Sequence, residues 1–173
     1  MEVVKDPDSV RREETLTRLV DTYQTPLLRM CYLYLKDRAL SEDAVQETFL
    51  KAFRQLDSFR GECSEKTWLM RIAVNTCHDL RRSAWFRHVD HFAAPESMPV
   101  AGAAPSEEHM TVTAEIMKLP PKLREAVLLY YYQDLSVTEV GQALGIDHAS
   151  VSGRLKRARE KLFKALKGAF FDE

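Results

Sequence analysis

The sequence predicts an all-α protein built from two small helical domains joined by a flexible linker. Three observations carry that prediction. Helical periodicity runs through residues 9–83, which hold one proline and one glycine. It resumes from about Thr111 and continues nearly to the C-terminus. Clear β-alternation is absent between and within these stretches. The intervening HFAAPESMPVAGAAPSEEH has three prolines, a glycine and many alanines with no sustained period, the composition of a tether. The expected organisation is a first domain over 1–85, a linker over 86–110 and a second domain over 111–173. A chain of 173 residues has room for one domain or two small ones.

In the first domain a helical region covers about 10–36, with a break expected near Pro26. The strongest helix spans about 41–56. Ser41 is the expected N-cap, with Glu42 and Asp43 in the first turn. Ala44, Val45, Thr48, Phe49, Ala52, Phe53 and Leu56 fall on its inner face, and Glu42, Asp43, Gln46, Glu47, Lys51 and Arg54 lie off it. A third helix covers about 65–82, with Trp68, Leu69, Ile72, Ala73, Thr76, Cys77 and Leu80 as its inner stripe. The polar loop 57–64 joins the last two.

In the second domain, Leu119-Pro120-Pro121 opens a helix of about 122–133, since a proline in the first turn gives up an N–H that has no helical partner anyway. A short helix over 136–144, a turn at Gly145-Ile146-Asp147 and a long helix over about 148–167 follow. The segment SVTEVGQALGIDHASVSGRLKRAREKL carries the sharpest motif. Two steeply crossed helices need a small residue where they meet, which Gly141 supplies. The turn needs a residue tolerant of positive φ, which Gly145 supplies. Val140, Leu144, Ile146, Val151 and Leu155 fill the wedge. This spacing points to a DNA-binding helix-turn-helix, against the plainer alternative of an ordinary helical hairpin.

On the last helix Val151, Leu155, Ala158 and Leu162 form the core stripe. The opposite side carries Ala149, Gly153, Lys156 and Glu160, with Ser152 and Arg157 on the shoulders and Arg154 and Arg159 flanking the core. Small and basic residues at the start of a second helix are what major-groove entry requires. From Arg154 to Lys167 there are seven basic residues and one acidic residue. The formal net charge of −1 therefore hides a local cationic stripe suited to phosphate.

Other classes fit poorly. The three cysteines, Cys31, Cys63 and Cys77, are too few and too scattered for a disulfide framework. The five histidines pair with no nucleophile, and no glycine loop cradles phosphate, so no enzyme, catalytic residue or cofactor is expected. A metal held by Cys63, Cys77, His78 and a linker histidine is less favoured than a buried Cys77 thiol, because Cys77 lies on the apolar stripe. The N-terminus has no apolar run, and no stretch approaches a membrane span, so the expected setting is the cytoplasm.

Taken together, the halves resemble the extracytoplasmic-function (group IV) sigma factors of the sigma-70 family. LPPKLREAVLLYYYQDLSVTEVGQALGIDHASVSGRLKRAREKL is similar to their region 4. SEDAVQETFLKAFRQLDSFRG and TWLMRIAVNTCHDLRRS are similar to their region 2. The resemblance covers about 10–83 and 111–168 and implies a subunit that directs core RNA polymerase to promoter DNA. It implies that the 41–56 helix docks on the β′ clamp through Asp43, Gln46, Glu47 and Lys51, and that the second domain meets the β flap. The loop 57–64 and the helix after it would melt and read the −10 element, with Phe59, Arg60, Arg71, Asn75, Arg81 and Arg82 as contacts. The −35 element would meet Ser150, Ser152, Gly153, Arg154, Lys156 and Arg157. Gly153 stands where serine or arginine is more usual, and Gly141 where alanine is. The resemblance also implies an anti-sigma factor that holds the protein inactive, at the inner membrane in many relatives, and release by envelope or other external stress. The rival reading is a stand-alone helix-turn-helix regulator that binds duplex DNA as a dimer. A helical adaptor that binds only proteins ranks third, because of the basic stripe.

Overall fold

The computed structural model describes residues 6–85 and 106–171, and among them every regular element is helical. In the first half, α1 (Pro7–Leu35), α2 (Arg38–Gln55) and α3 (Glu65–Trp85) pack pairwise. In the second half come α4 (Glu107–Lys118), α5 (Pro121–Val127, extended by a π turn over Leu128–Tyr132), α6 (Val137–Leu144) and α7 (His148–Phe171).

Helix α1 does not break at Pro26. An interior proline costs about 3 kcal/mol. The turns beyond it bury Leu27, Met30, Cys31, Tyr32, Leu33 and Tyr34, and each large apolar side chain among them returns about 1.5–3 kcal/mol. Packing therefore overrides the local penalty. Helix α2 starts three residues earlier than the sequence suggests, because Asp37, not Ser41, is its cap: Asp37 Oδ1 accepts from the Leu40 N–H at 2.8 Å. Ser41 is fully buried and its hydroxyl donates to the Asp37 carbonyl. The expected inner stripe of α2 is buried from Ala44 to Ala52.

Helix α4 begins at Glu107, inside the stretch expected to be linker, because Ser106 accepts from the His109 N–H and caps it. The rest of the expected linker, 86–105, lies outside the described residues.

The sequence leaves the arrangement of the two halves open, and in the structure the buried residues of both form one continuous cluster. Helix α3 packs on α6, and α1 touches α4 and the α5 extension. Met70 and Val74 lie off the stripe expected for α3 and are buried as well. Val74 lines a small void together with Met30, Cys77 and Leu128, so α3 is covered by both halves. The seam also contains polar contacts: Gln133 Nε2 donates to the Pro26 carbonyl at 3.0 Å, and the Thr67 hydroxyl donates to Glu139 at 3.4 Å.

Candidate nucleic-acid interface

The α6–α7 pair is a helix-turn-helix whose turn is fixed by local chemistry. Ser136 and Glu139 form a capping box at the start of α6, each accepting the other's backbone N–H. These hydrogen bonds to Ser136 hold the Glu139 carboxyl below its ordinary value. Gly145 ends α6 at φ +67 with its N–H on the Gly141 carbonyl. A Cβ on Gly141 would lie 2.7 Å from the Ile146 carbonyl oxygen, so the crossing leaves no room for a side chain. Asp147 caps α7, accepting from the Ser150 N–H at 2.6 Å, and that bond lowers its pKa.

This frame sets the face of α7. Val151, Leu155 and Ala158 are buried, with Leu162 partly so, as the stripe predicts. Ser150, Lys156 and Arg157 are exposed, and Ser152 and Gly153 are half-buried on the same outer side. The Arg157 guanidinium lies beside Gly153, and a Cβ built there would sit 3.8 Å from Arg157 Nη1, an ordinary contact. Gly153 is thus not required by space. Arg154 does not share that open face. It points into the seam, where Nη1 donates to Glu125 Oε1 at 2.8 Å, and its side chain is 15 % exposed. Flanking the core stripe placed it against α5 and away from the open face.

Glu125 is itself buried and bonded on its other oxygen to His78 Nε2 of α3 at 2.8 Å, so one carboxylate links three helices across the seam. Next to it, Arg124 is buried, donates to the Met117 carbonyl and lies 5.6 Å from the Tyr34 ring. Loss of solvation lowers its pKa to about 10.

In the first half, the loop after α2 turns at Gly61 (φ +72). Phe59 stacks on Trp68 with centroids 4.8 Å apart. Arg60, Arg71 and Asn75 are exposed, the last two one helical turn apart on α3. Arg81 donates to the Tyr34 hydroxyl and Arg82 pairs with Asp79. Along α2, Asp43 and Gln46 are exposed and Glu47 is half-buried near Arg54. Lys51 does not join them: it reaches back to Thr76 Oγ1 at 3.2 Å and Asp79 at 3.7 Å, packing α2 on α3. Sequence reasoning missed Leu50, which is 50 % exposed at the i+4 and i+3 positions from Gln46 and Glu47. An exposed leucine amid polar residues looks like noise in a sequence, and only its exposure singles it out.

Residues 19–87 match the family described as Sigma-70 region 2, and residues 109–162 match Sigma-70, region 4. The chain is 30% identical over 169 residues to the ECF RNA polymerase sigma factor SigW of Bacillus subtilis, covering 90% of each chain. The chain is an extracytoplasmic-function sigma factor of the sigma-70 family. It is also 33% identical to the RNA polymerase sigma-H factor of Pseudomonas aeruginosa, over 86% of this chain and 84% of that one. Among solved structures it is similar to CnrH in complex with the cytosolic domain of CnrY, with a TM-score of 0.67, 25% identity, and 91% and 90% coverage. The sigma factor RpoE of Bartonella quintana, solved with the anti-sigma factor NepR, shares the fold at a TM-score of 0.70 and 22% identity, over 93% and 99% of the chains. Two regions of one family in their proper order do not favour a stand-alone dimeric regulator. Sigma factors as a family are not enzymes.

Proposed function

We propose that this sigma factor engages three partners through separate faces: core RNA polymerase, promoter DNA and an anti-sigma factor. The open face of α7 carries the DNA reading. Ser150, Ser152, Lys156 and Arg157 meet the −35 element as duplex, with Gly153 letting the helix backbone approach. Arg60, Arg71, Asn75, Arg81 and Arg82 meet the −10 strand, and the Phe59–Trp68 stack offers an aromatic platform for an unstacked base. Asp43, Gln46, Glu47 and Leu50 face the β′ clamp, and the second domain meets the β flap. The proposed division is a region 2 domain ending near residue 85 and a region 4 domain beginning at α4.

Geometry then requires the halves to part. The two elements lie about 25 base pairs apart, roughly 85 Å at ~3.4 Å per pair. A compact chain of this length has a radius of gyration of only about 16 Å. Residues 86–105 can span up to about 70 Å. The docked arrangement is therefore a resting form, and promoter engagement separates α3 from α6 while polymerase supplies the surfaces that hold both halves. The likeness to CnrH in complex with the cytosolic domain of CnrY, and to an RpoE solved with the anti-sigma factor NepR, supports an anti-sigma factor as partner; in this reading it holds the docked form and stress releases it. No helix among the described residues is long and apolar enough to cross a membrane, which fits a protein acting in the cytoplasm and reaching the membrane only through such a partner.

The deciding experiment is transcription by core polymerase with this chain on a genomic library. Specific start sites are expected, and their absence would refute the reading. In the same system Arg157→Ala should weaken −35 recognition and leave core polymerase binding intact; loss of core binding would contradict the assignment of that face.

A further inference from the structure

We propose that the cleft between the two docked halves is a binding site for a nucleoside polyphosphate, which bridges them and holds the protein closed. The cleft has a volume of about 910 Å³. Small-molecule sites run to about 300–1,000 Å³. Its walls come from both halves: α3 supplies Arg81 and Arg82, α5 supplies Lys122, and α7 supplies Arg154. Two of these cations are already paired, Arg154 with the one lining carboxylate, Glu125, and Arg82 with Asp79 outside the lining. Lys122 is exposed and has no acidic partner among the described residues, and Arg81 bonds only the neutral Tyr34 hydroxyl.

The surroundings deepen the imbalance. Arg124 is buried against Tyr34, which lines the cleft, with its Nε unpartnered, and burial first and then the Arg124 charge lower the pKa of Lys36. Closing the two halves thus brings Arg81 of one half and Lys122 of the other to one cleft, with no carboxylate paired to either. Like charges brought together at an interface cost free energy unless an anion accompanies them. Between the cations, Pro121, Leu144 and the flank of Tyr34 make an apolar surface. Phosphates on the rim and a flat base on that surface satisfy both chemistries at once. A ligand held by both halves binds only the docked form, so by linkage it stabilises that form. It also occupies Arg81 and Arg82, which the open form offers to promoter phosphates.

The test is titration calorimetry of the full chain with ATP, inorganic tripolyphosphate, adenosine and an acidic helical peptide. We expect one ATP per chain, tripolyphosphate weaker by about tenfold, equivalent to ~1.4 kcal/mol of base contact, and no binding of adenosine alone. Lys122→Glu and Arg81→Gln, on opposite walls, should each weaken ATP by about tenfold or more. ATP should raise the unfolding temperature of the wild type and leave that of Lys122→Glu unchanged. Circular dichroism checks that both variants fold, and Lys122 is exposed enough for its variant to do so. Equal affinity for tripolyphosphate would assign the site to inorganic polyphosphate and overturn the nucleotide. Several ATP per chain, no binding at about 1 mM, or wild-type affinity in Lys122→Glu would overturn the site altogether. Tighter binding of an acidic helical peptide than of ATP would give the cleft to a protein and overturn the proposal too. These outcomes leave promoter-directed transcription untouched, so they are separable from a failure of the sigma-factor partners proposed above.

Discussion

Glu125→Ala removes the carboxylate that ties α5 to α7 and to α3. The two contacts differ in exposure, and that sets the magnitude. Toward Arg154 the pair is nearly dry, with side chains 15 % and 6 % exposed. Deleting one member of such a pair strands the other, a loss of about 3–5 kcal/mol. Arg154 is long and can partly swing to water, so the low end applies, about 3 kcal/mol. His78 is 41 % exposed, and its contact adds under ~1 kcal/mol after screening. The expected loss is about 3–4 kcal/mol. At a urea slope of roughly 2 kcal/mol per molar, the midpoint falls by about 1.5–2 M. The assay is urea unfolding followed by far-ultraviolet circular dichroism, run as a double-mutant cycle with His78→Ala. If the halves are docked in solution, the His78–Glu125 cycle should give a coupling of at least ~0.5 kcal/mol. A loss under ~1 kcal/mol for Glu125→Ala would show that the buried pair does not form. Strict additivity with His78→Ala would show that the halves are not docked there.

Three further outcomes follow from other parts of the molecule. Gly153→Ala should stabilise the chain by up to ~1 kcal/mol in thermal unfolding, since the site is helical and its Cβ meets only ordinary contacts; destabilisation would mean that the face is packed in a way the geometry does not indicate. The Glu139 carboxyl is depressed below 4.5 by its bonds to Ser136, so the stability it contributes is full above pH 4.5 and drains away as pH falls through the depressed value. Ser136→Ala should cost about 1 kcal/mol at neutral pH and less in acid, which urea unfolding at a series of pH values checks. Leu50→Ala should weaken core polymerase binding by about 1.5–3 kcal/mol if the side chain is buried on docking; unchanged affinity in a pull-down titration would remove Leu50 from that face.

The candidate site divides along the same lines as its chemistry. The turn and the outer face of α7 were legible, because Gly141, Gly145 and the four-three-four spacing of apolar residues are local signals. Arg154 and Lys51 turn inward in the structure, and the sequence does not show it, because a long cationic side chain beside a core stripe can turn either way. Which way is decided by a carboxylate or hydroxyl from another helix, Glu125 for Arg154 and Thr76 with Asp79 for Lys51. Residue type alone favours Ser41 as the cap, whereas the geometry gives that role to Asp37, four residues earlier. Leu50 carried no sequence signal at all.

By itself the sequence determined the all-α class, the helix faces, the helix-turn-helix and the resemblance to two regions of one family. Each of these follows from periodicity, capping chemistry or glycine stereochemistry, which act within a few residues along the chain. Only the tertiary structure decided that α1 runs unbroken through Pro26, that Met70 and Val74 are buried, and that the halves share one core across a seam centred on Glu125. Those outcomes depend on contacts between residues 40 to 110 positions apart, such as His78 with Glu125 and Gln133 with Pro26. Burial of that kind outweighs local preference, and no local pattern encodes it.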